Sequence, residues 1–127
     1  MNYLLDSHAV IWYFEDSQKL PQKMIEIIDD SKMSVYISST SLWEIAIKMN
    51  LGKLDVEFSF DELLAGIEAT DFDILQVENE YLQQLSTLPP IHKDPFDRLL
   101  IASAIAEDLT IITTDENIQR YGVKWIW

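Results

Sequence analysis

Short apolar runs alternate along the chain with longer segments of helical periodicity, and this alternation limits the possible folds more than any other feature. The apolar runs predict five strands, over residues 2–5, 34–37, 72–77, 110–113 and 123–127, the last of them at a sheet edge. The segments between them predict helices over residues 7–14, 21–30, 38–50, 60–69 and 79–88, and a sixth helix that begins at residues 94–95. Strands separated by helices pair in parallel through crossover connections. The sequence therefore predicts an α/β fold with a parallel sheet covered on both faces.

The length and composition favour one packed domain over residues 1–127. Of the 127 residues, 48% are apolar and only 3 are Gly and 4 are Pro, which is typical of a globular chain. The chain has no Cys, so disulfides, thiolate zinc sites and iron–sulfur clusters are excluded. The first six residues lack the basic start of a signal peptide, and no apolar run approaches the roughly 18 residues of a membrane span. We therefore expect a cytoplasmic protein.

The net charge of −13 restricts the partners that the chain can attract. Nine basic residues stand against 22 acidic ones, so the protein as a whole repels phosphate at long range. Any action on nucleic acid would then need a local basic patch, bound cations, or both. The same charge suits a basic protein partner.

Four acidic residues are predicted to meet at one edge of the sheet. Asp6 follows the first strand and Asp115 follows the fourth, whereas Glu44 and Asp97 lie near the starts of two helices. In a parallel sheet, the carboxyl ends of the strands and the starts of the following helices share one edge, which is where ligands bind. Clustered carboxylates raise one another's pKa unless a cation neutralises them. Oxygen ligands without Cys or a His pair favour Mg²⁺, or Mn²⁺, over Zn²⁺.

Each acid also has an ordinary structural interpretation. Ser41 and Glu44 match a capping box, so Glu44 could simply cap its helix. Asp97 could favour the helix dipole after an Asp94 cap, and Asp115 could be a turn residue. An acid directly after a buried strand, as at Asp6, is harder to explain by stability. The prediction of a metal site therefore depends on the four acids together.

The set of motifs resembles the PIN-domain family, and in particular its VapC-type toxins. Residues 4–12 (LLDSHAVIW) are similar to the family's opening of strand, acid and helix, and residues 39–45 (STSLWEI) resemble its second motif. Residues 92–102 (HKDPFDRLLIA) match the third motif closely, and residues 109–115 (LTIITTD) resemble the fourth. The motifs run in family order from residue 3 to about residue 121.

This resemblance implies a fold, an activity and partners. The fold would be a three-layer α/β/α sandwich around a mainly parallel sheet. The activity would be metal-dependent endoribonuclease cleavage by the toxin of a type II toxin–antitoxin pair, with Mg²⁺ or Mn²⁺ as cofactor. Asp6, Glu44 and Asp97 match the family's core metal-binding acids, and Asp115 matches the fourth and more variable one. The toxin would form a homodimer, and a cognate antitoxin would silence it, often with a basic segment.

Other side chains near the motifs are candidates for supporting roles. Ser7 and Thr113 could hold the carboxylates by hydrogen bonds, although ordinary capping at a strand end explains them equally well. The candidate RNA contacts are the basic residues that flank the acids, each of which could also be a solvated surface side chain: Lys48, Lys93, Arg98 and Arg120.

The His and Trp residues are predicted to have structural or surface roles and no part in catalysis. His8 and His92 are not at metal-ligand spacing with another His, so we expect structural or surface roles for them. Trp12 and Trp43 lie on apolar helix faces and are predicted to be core residues. The two Trp residues at 125 and 127 could pack in a core or in an interface.

Three other functions remain open from the sequence. A structure-specific DNA nuclease would use the same acids, but relatives of that kind carry long insertions that this chain is too short to hold. A phospho-acceptor receiver domain would need paired acids after the first strand and a Lys after a later one, whereas Asp6 stands alone and no Lys follows Thr113. A catalytically inactive PIN-like or receiver-like module would only bind a partner.

Overall fold

A computed structural model describes residues Met1–Trp127 and contains one five-stranded sheet. All four strand pairings are parallel, and the spatial order is β3-β2-β1-β4-β5. The strands are β1 (Asn2–Leu5), β2 (Ser34–Ser38), β3 (Asp73–Leu75), β4 (Thr110–Ile112) and β5 (Trp125–Ile126). The prediction of a parallel sheet with the last strand at its edge is confirmed.

Seven helices connect and follow the strands. They are α1 (Ser7–Phe14), α2 (Gln22–Asp29), α3 (Ser39–Asn50), α4 (Phe60–Glu68), α5 (Asn79–Ser86), α6 (Pro95–Glu107) and α7 (Glu116–Gln119). The first five were predicted with ends that differ by two residues at most, and the start of α6 was predicted correctly. The short α7 was not predicted. No helix has both the length and the apolar character that a bilayer crossing requires.

Alternate residues of the strands point into two separate apolar clusters. Leu5 belongs to the first cluster with side chains from α1, α2, α3 and α4, and Leu4 belongs to the second with side chains from α6 and α7. Because neighbouring strand residues face opposite sides of a sheet, the two clusters lie on its two faces. The molecule is therefore a three-layer α/β/α sandwich, as predicted.

The middle of the sheet is the most deeply buried part of the fold. Leu4 and Leu5 in β1 and Ile111 and Ile112 in β4 have no exposed surface. Near-continuous apolar strands are typical of a parallel sheet with both faces covered. The carboxyl ends of these two central strands bring Asp6 and Thr113 to the same edge of the sheet.

Candidate metal centre

Asp6 is a buried carboxylate with both oxygens held in place. It follows β1 and caps α1, where its Oδ1 accepts the Ala9 amide at 2.8 Å, and its Oδ2 accepts the Thr113 hydroxyl at 2.5 Å. The residue is only 3% exposed. Burial raises the pKa of Asp6. The hydrogen bonds from Thr113 and Ala9 oppose that rise, as does the charge of His8, whereas the charge of Asp115 adds to it. The site therefore contains a carboxylate whose negative charge is poorly solvated.

Thr113 connects the first acid to the fourth. Its hydroxyl donates to Asp6 and accepts the amide of Asp115 at 3.0 Å, and the residue is completely buried. Ser7 is also buried, but its hydroxyl bonds none of the four acids. Of the two candidate supporting residues, only Thr113 contacts a carboxylate of the site.

Asp115 begins a helix and does not lie in a simple turn. Its Oδ1 accepts the Asn117 amide at 2.9 Å and so caps α7. One carboxylate oxygen is thereby committed to the cap, and the residue is partly exposed. The helix holds this acid beside the end of β4.

Asp97 lies in the first turn of α6. Asp94 caps this helix by accepting the amides of Phe96 and Asp97, and Pro95 occupies the first helical position. The cap is therefore Asp94, which leaves the Asp97 side chain free to face the other acids. Its Oδ2 lies 2.9 Å from Nε2 of His92.

The pKa of Asp97 rises to about 6, mainly because the carboxylate is partly removed from water. The hydrogen bond from His92 lowers this pKa, and the charges of Asp94, Asp115 and Glu44 raise it. Asp94 from the cap of the same helix, and Glu44 and Asp115 from two other segments, are therefore close enough to act on Asp97. Since the charge of Asp115 also acts on Asp6, electrostatic interactions link the four predicted acids.

Glu44 does not cap its helix. α3 begins at Ser39 with Ser38 as its cap, where the Ser38 hydroxyl accepts the Thr40 amide at 3.0 Å, so the predicted capping box with Ser41 does not exist. Glu44 is instead in the second turn, only 7% exposed, with its Oε2 2.8 Å from Nζ of Lys48. A buried acid without a capping role strengthens the case for a ligand role.

The chemistry of the acidic side chains suits a divalent cation. One group of ligand atoms, from His92, Asp94 and Asp97, lies within 4.8 Å of one another, and of the four predicted acids only Asp97 belongs to this group. Asp6 and Asp97 both have raised pKa values, so a bound cation would relieve the destabilising charge that burial creates. Carboxylate oxygens are the ligands that Mg²⁺ and Mn²⁺ prefer. Asp6, Glu44, Asp97 and Asp115 could hold such an ion.

His92 is the site residue that sequence reasoning missed. It was interpreted as a structural or surface residue because no second His is spaced to form a metal site with it. Its place in the third motif, five residues before Asp97, was the available signal. The contact forms because the segment before α6 folds back over the first turn of that helix.

Two of the four candidate RNA contacts are already engaged within the protein. Lys48 pairs with Glu44, and the Arg98 guanidinium donates to three backbone carbonyls and to the Tyr121 hydroxyl. These contacts give Arg98 a structural role, and its contact with phosphate stays a prediction. Lys93 and Arg120 are exposed and make no side-chain hydrogen bond within the chain.

The prediction that Trp43 is a core residue is wrong. It is 60% exposed, and its ring packs edge-on against Phe96 with centroids 5.0 Å apart. Trp43 precedes Glu44, and Phe96 precedes Asp97, so this aromatic pair lies beside the acids. Trp12 is half-buried and packs against the first apolar cluster, and its ring centroid lies 5.7 Å from that of Trp127.

Comparisons with known proteins agree on one fold. A family model described as PIN domain matches residues 3–124. Of the solved structures, VapBC2 from Rickettsia felis bound to a promoter DNA fragment superposes with a TM-score of 0.75 at 17% identity, covering 99% of this chain and 98% of that one. DNA-bound VapBC from Salmonella typhimurium superposes with a TM-score of 0.72 at 15% identity, covering 99% of this chain and 97% of that one.

FitAcB from Neisseria gonorrhoeae gives a TM-score of 0.67 at 19% identity, with 98% of this chain and 96% of that chain covered. A search among curated proteins found no match. At these identities, the structural likenesses show the fold.

Proposed function

The chain belongs to the PIN-domain family, and on that premise we propose that it is a Mg²⁺-dependent endoribonuclease, with Mn²⁺ as a possible substitute, that serves as the VapC-type toxin of a toxin–antitoxin pair. The observation that supports the proposal is the electrostatic link among the four acids, since the charge of Asp115 acts on Asp6 and on Asp97, and the charge of Glu44 acts on Asp97. Two of these carboxylates have pKa values raised by burial. We further propose that residues 1–127 act as a single cytoplasmic domain.

Each acid has a distinct proposed role. Asp6 and Asp97 hold the principal cation, Glu44 binds it or orients the attacking water, and Asp115 holds a second cation or a bound water. The chemistry that bound Mg²⁺ supplies is activation of a water and neutralisation of charge on the phosphate during phosphodiester hydrolysis. The chain's part is to hold the carboxylates in place before substrate arrives. Thr113 and the Ala9 amide do this for Asp6, and His92 does it for Asp97.

Binding of RNA must overcome the net charge of −13. We propose Lys93 and Arg120 as phosphate contacts, because both are exposed and unpaired close to Asp97 and Asp115 in the chain. Lys48 could join them if the substrate phosphate competes with Glu44 for its ammonium group, because the Lys48 side chain is 40% exposed.

Metal dependence is the direct test of the proposed activity. The purified chain is expected to cleave a mixed RNA pool with Mg²⁺ or Mn²⁺ and to lose that cleavage in excess chelator, because every proposed catalytic group is a cation ligand. Gel analysis of the products would also show the cut positions. A matched pool of single-stranded DNA is the control. Cleavage that persists in chelator, or cleavage of DNA alone, would contradict the proposal.

Two protein partners are proposed, a second copy of the chain and a basic antitoxin. The solved structures with this fold include VapBC and FitAB assemblies, and the charge of −13 suits a basic partner. For the second copy, α3 and its C-terminal cap carry an apolar strip in which Trp43 is 60% exposed, the cap residue Leu51 is 58% exposed and Ile47 lies between them. Residues spaced by four along a helix share one face.

Sedimentation of the purified chain tests the assembly. We expect a homodimer for the wild type and a monomer for Trp43→Glu, because a charge at the centre of an apolar interface is strongly unfavourable. Loss of the ring contact with Phe96 should lower the melting temperature of the variant by a few degrees without unfolding it. Leu82→Glu, which replaces a side chain that is 46% exposed on α5, is the control and should remain dimeric. A dimeric Trp43→Glu variant would place the interface elsewhere.

A further inference from the structure

We propose that His92 is a positioning residue for Asp97, and that Arg98 and Tyr121 together hold His92 in place. The inference rests on the proposed function, because it concerns the same acidic site. It adds a supporting set of three residues to the four acids. None of the three was predicted from the sequence to act in this way.

His92 is held at its main chain as well as at its side chain. Its amide donates to the Tyr121 hydroxyl at 2.8 Å, and its carbonyl accepts from Nη1 of Arg98 at 3.3 Å. The imidazole Nε2 lies 2.9 Å from Oδ2 of Asp97. With Asp97 ionised, Nε2 carries the proton and donates it. The fixed main chain therefore directs one hydrogen bond onto one oxygen of Asp97.

Arg98 holds the segment that carries His92 by hydrogen bonds to its backbone. Its guanidinium donates to the carbonyl of Pro89 at 2.9 Å and to that of Leu88 at 3.3 Å, in addition to that of His92. Residues 88–92 lie between α5 and α6 and belong to no helix or strand, so few of their own backbone groups hold them in place. A charged donor with several carbonyl partners is a strong constraint on such a segment.

Tyr121 joins this segment to the element that carries the fourth acid. Its hydroxyl accepts from the His92 amide and from Nη1 of Arg98 at 2.9 Å, and the residue follows α7, which Asp115 caps. The ring packs against the second apolar cluster. Asp97, His92 and the Asp115 helix are thereby joined through one hydroxyl group. Residues that orient metal ligands typically contribute about 10- to 100-fold in metal affinity or activity.

Tyr121→Phe removes the shared hydroxyl and keeps the packed ring. We expect the Mn²⁺ concentration for half-maximal thermal stabilisation to rise by about 10- to 100-fold, and kcat at fixed metal to fall by a similar factor. KM for RNA should stay within about twofold, because the hydroxyl faces the protein. His92→Leu should behave in the same way. His92→Gln, which keeps a donor near the Nε2 position, should recover most of the metal affinity.

Tyr81→Phe is the matched control. The ring of Tyr81 is also buried, and its hydroxyl donates to the carboxylate of Glu107 at 3.0 Å. Glu107 lies at the opposite end of α6 from Asp97. This variant loses one hydrogen bond and some stability but should keep the wild-type Mn²⁺ midpoint. A wild-type midpoint in Tyr121→Phe and in His92→Leu would overturn the positioning role, even if both variants melted earlier.

The metal measurement separates this proposal from the proposed function. If the wild type binds Mn²⁺ and the variants weaken that binding while no RNA is cleaved, the positioning role stands and the ribonuclease assignment fails. If RNA is cleaved and the Mn²⁺ midpoints of the variants equal that of the wild type, the ribonuclease assignment stands and the positioning role fails. A wild type that Mn²⁺ does not stabilise at all would overturn the positioning role, since there would be no metal ligand to position.

Discussion

Asp97→Asn is expected to abolish metal-dependent RNA cleavage and, at the same time, to stabilise the metal-free protein. Asn keeps the shape of the side chain but removes the charge that holds the cation, so we expect a loss of roughly 10³-fold or more in kcat. Cleavage of labelled RNA in Mg²⁺ measures this loss. Asp73→Asn, at an exposed acid at the start of β3, is the control and should retain full activity.

The gain in stability follows from the raised pKa of Asp97, which lies at about 6 in the folded protein against an ordinary value of 3.8. A carboxyl group with a raised pKa favours folding while it is protonated, and this contribution is lost as the pH rises from about 4 through 6. At pH 7 the ionised Asp97 therefore costs on the order of 1–2 kcal/mol, after allowance for the water that still reaches it.

Urea unfolding in chelator measures this effect. Asp97→Asn should exceed the wild type in free energy of unfolding at pH 7 and approach it as the pH falls to about 3, below the ordinary pKa of 3.8, where the wild-type carboxyl group is largely neutral in both states. A variant that is less stable than the wild type at pH 7 would mean that the negative charge is compensated within the folded chain. A variant that still cleaves RNA within tenfold of the wild type would remove Asp97 from the site.

Asp6→Asn is expected to remove most of the stabilisation that a divalent cation gives. A cation that binds only the folded state stabilises it by about 2.7 kcal/mol at 100 times its dissociation constant. Asp6 is a proposed ligand of this cation, and its burial makes its uncompensated charge costly. Asn can still accept the Ala9 amide through its oxygen, so the cap of α1 should survive.

The measurement is the melting temperature of the wild type and of Asp6→Asn with increasing Mg²⁺ or Mn²⁺. The wild type should show a clear rise, the variant a much smaller one, and RNA cleavage should fall with it. Asp73→Asn again serves as the control for a lost surface charge. An unchanged rise in Asp6→Asn would show that the cation binds elsewhere on this acidic protein.

The sheet and its long helices were predictable because their apolar residues repeat with a regular period. β1 and β2 were placed to within one residue, since each is a buried apolar run with a polar break after it. β3 was predicted over 72–77 but pairs only over Asp73–Leu75, because the length of a strand depends on the neighbour that it meets. α7 has only four residues, which is too short to display a helical period.

The exposure of Trp43 illustrates a second limit. The residue precedes the buried Glu44 in an apolar helix, and the sequence pattern alone placed it in the core. The actual orientation depends on how α3 packs against α6, where Phe96 meets the edge of the indole ring. Which face of a helix remains uncovered is decided by its neighbours.

The sequence by itself determined the parallel α/β architecture and singled out the four acids proposed for the site. Strands joined through helices must share their carboxyl edge, so acids that are far apart in the chain could be assigned to one place. The tertiary structure alone decided how those acids are supported. Tyr121 meets Arg98 and His92 across separations of 23 and 29 residues, and Thr113 meets Asp6 across 107. Hydrogen bonds over such separations have no local period in the sequence, because they depend on how separate elements pack.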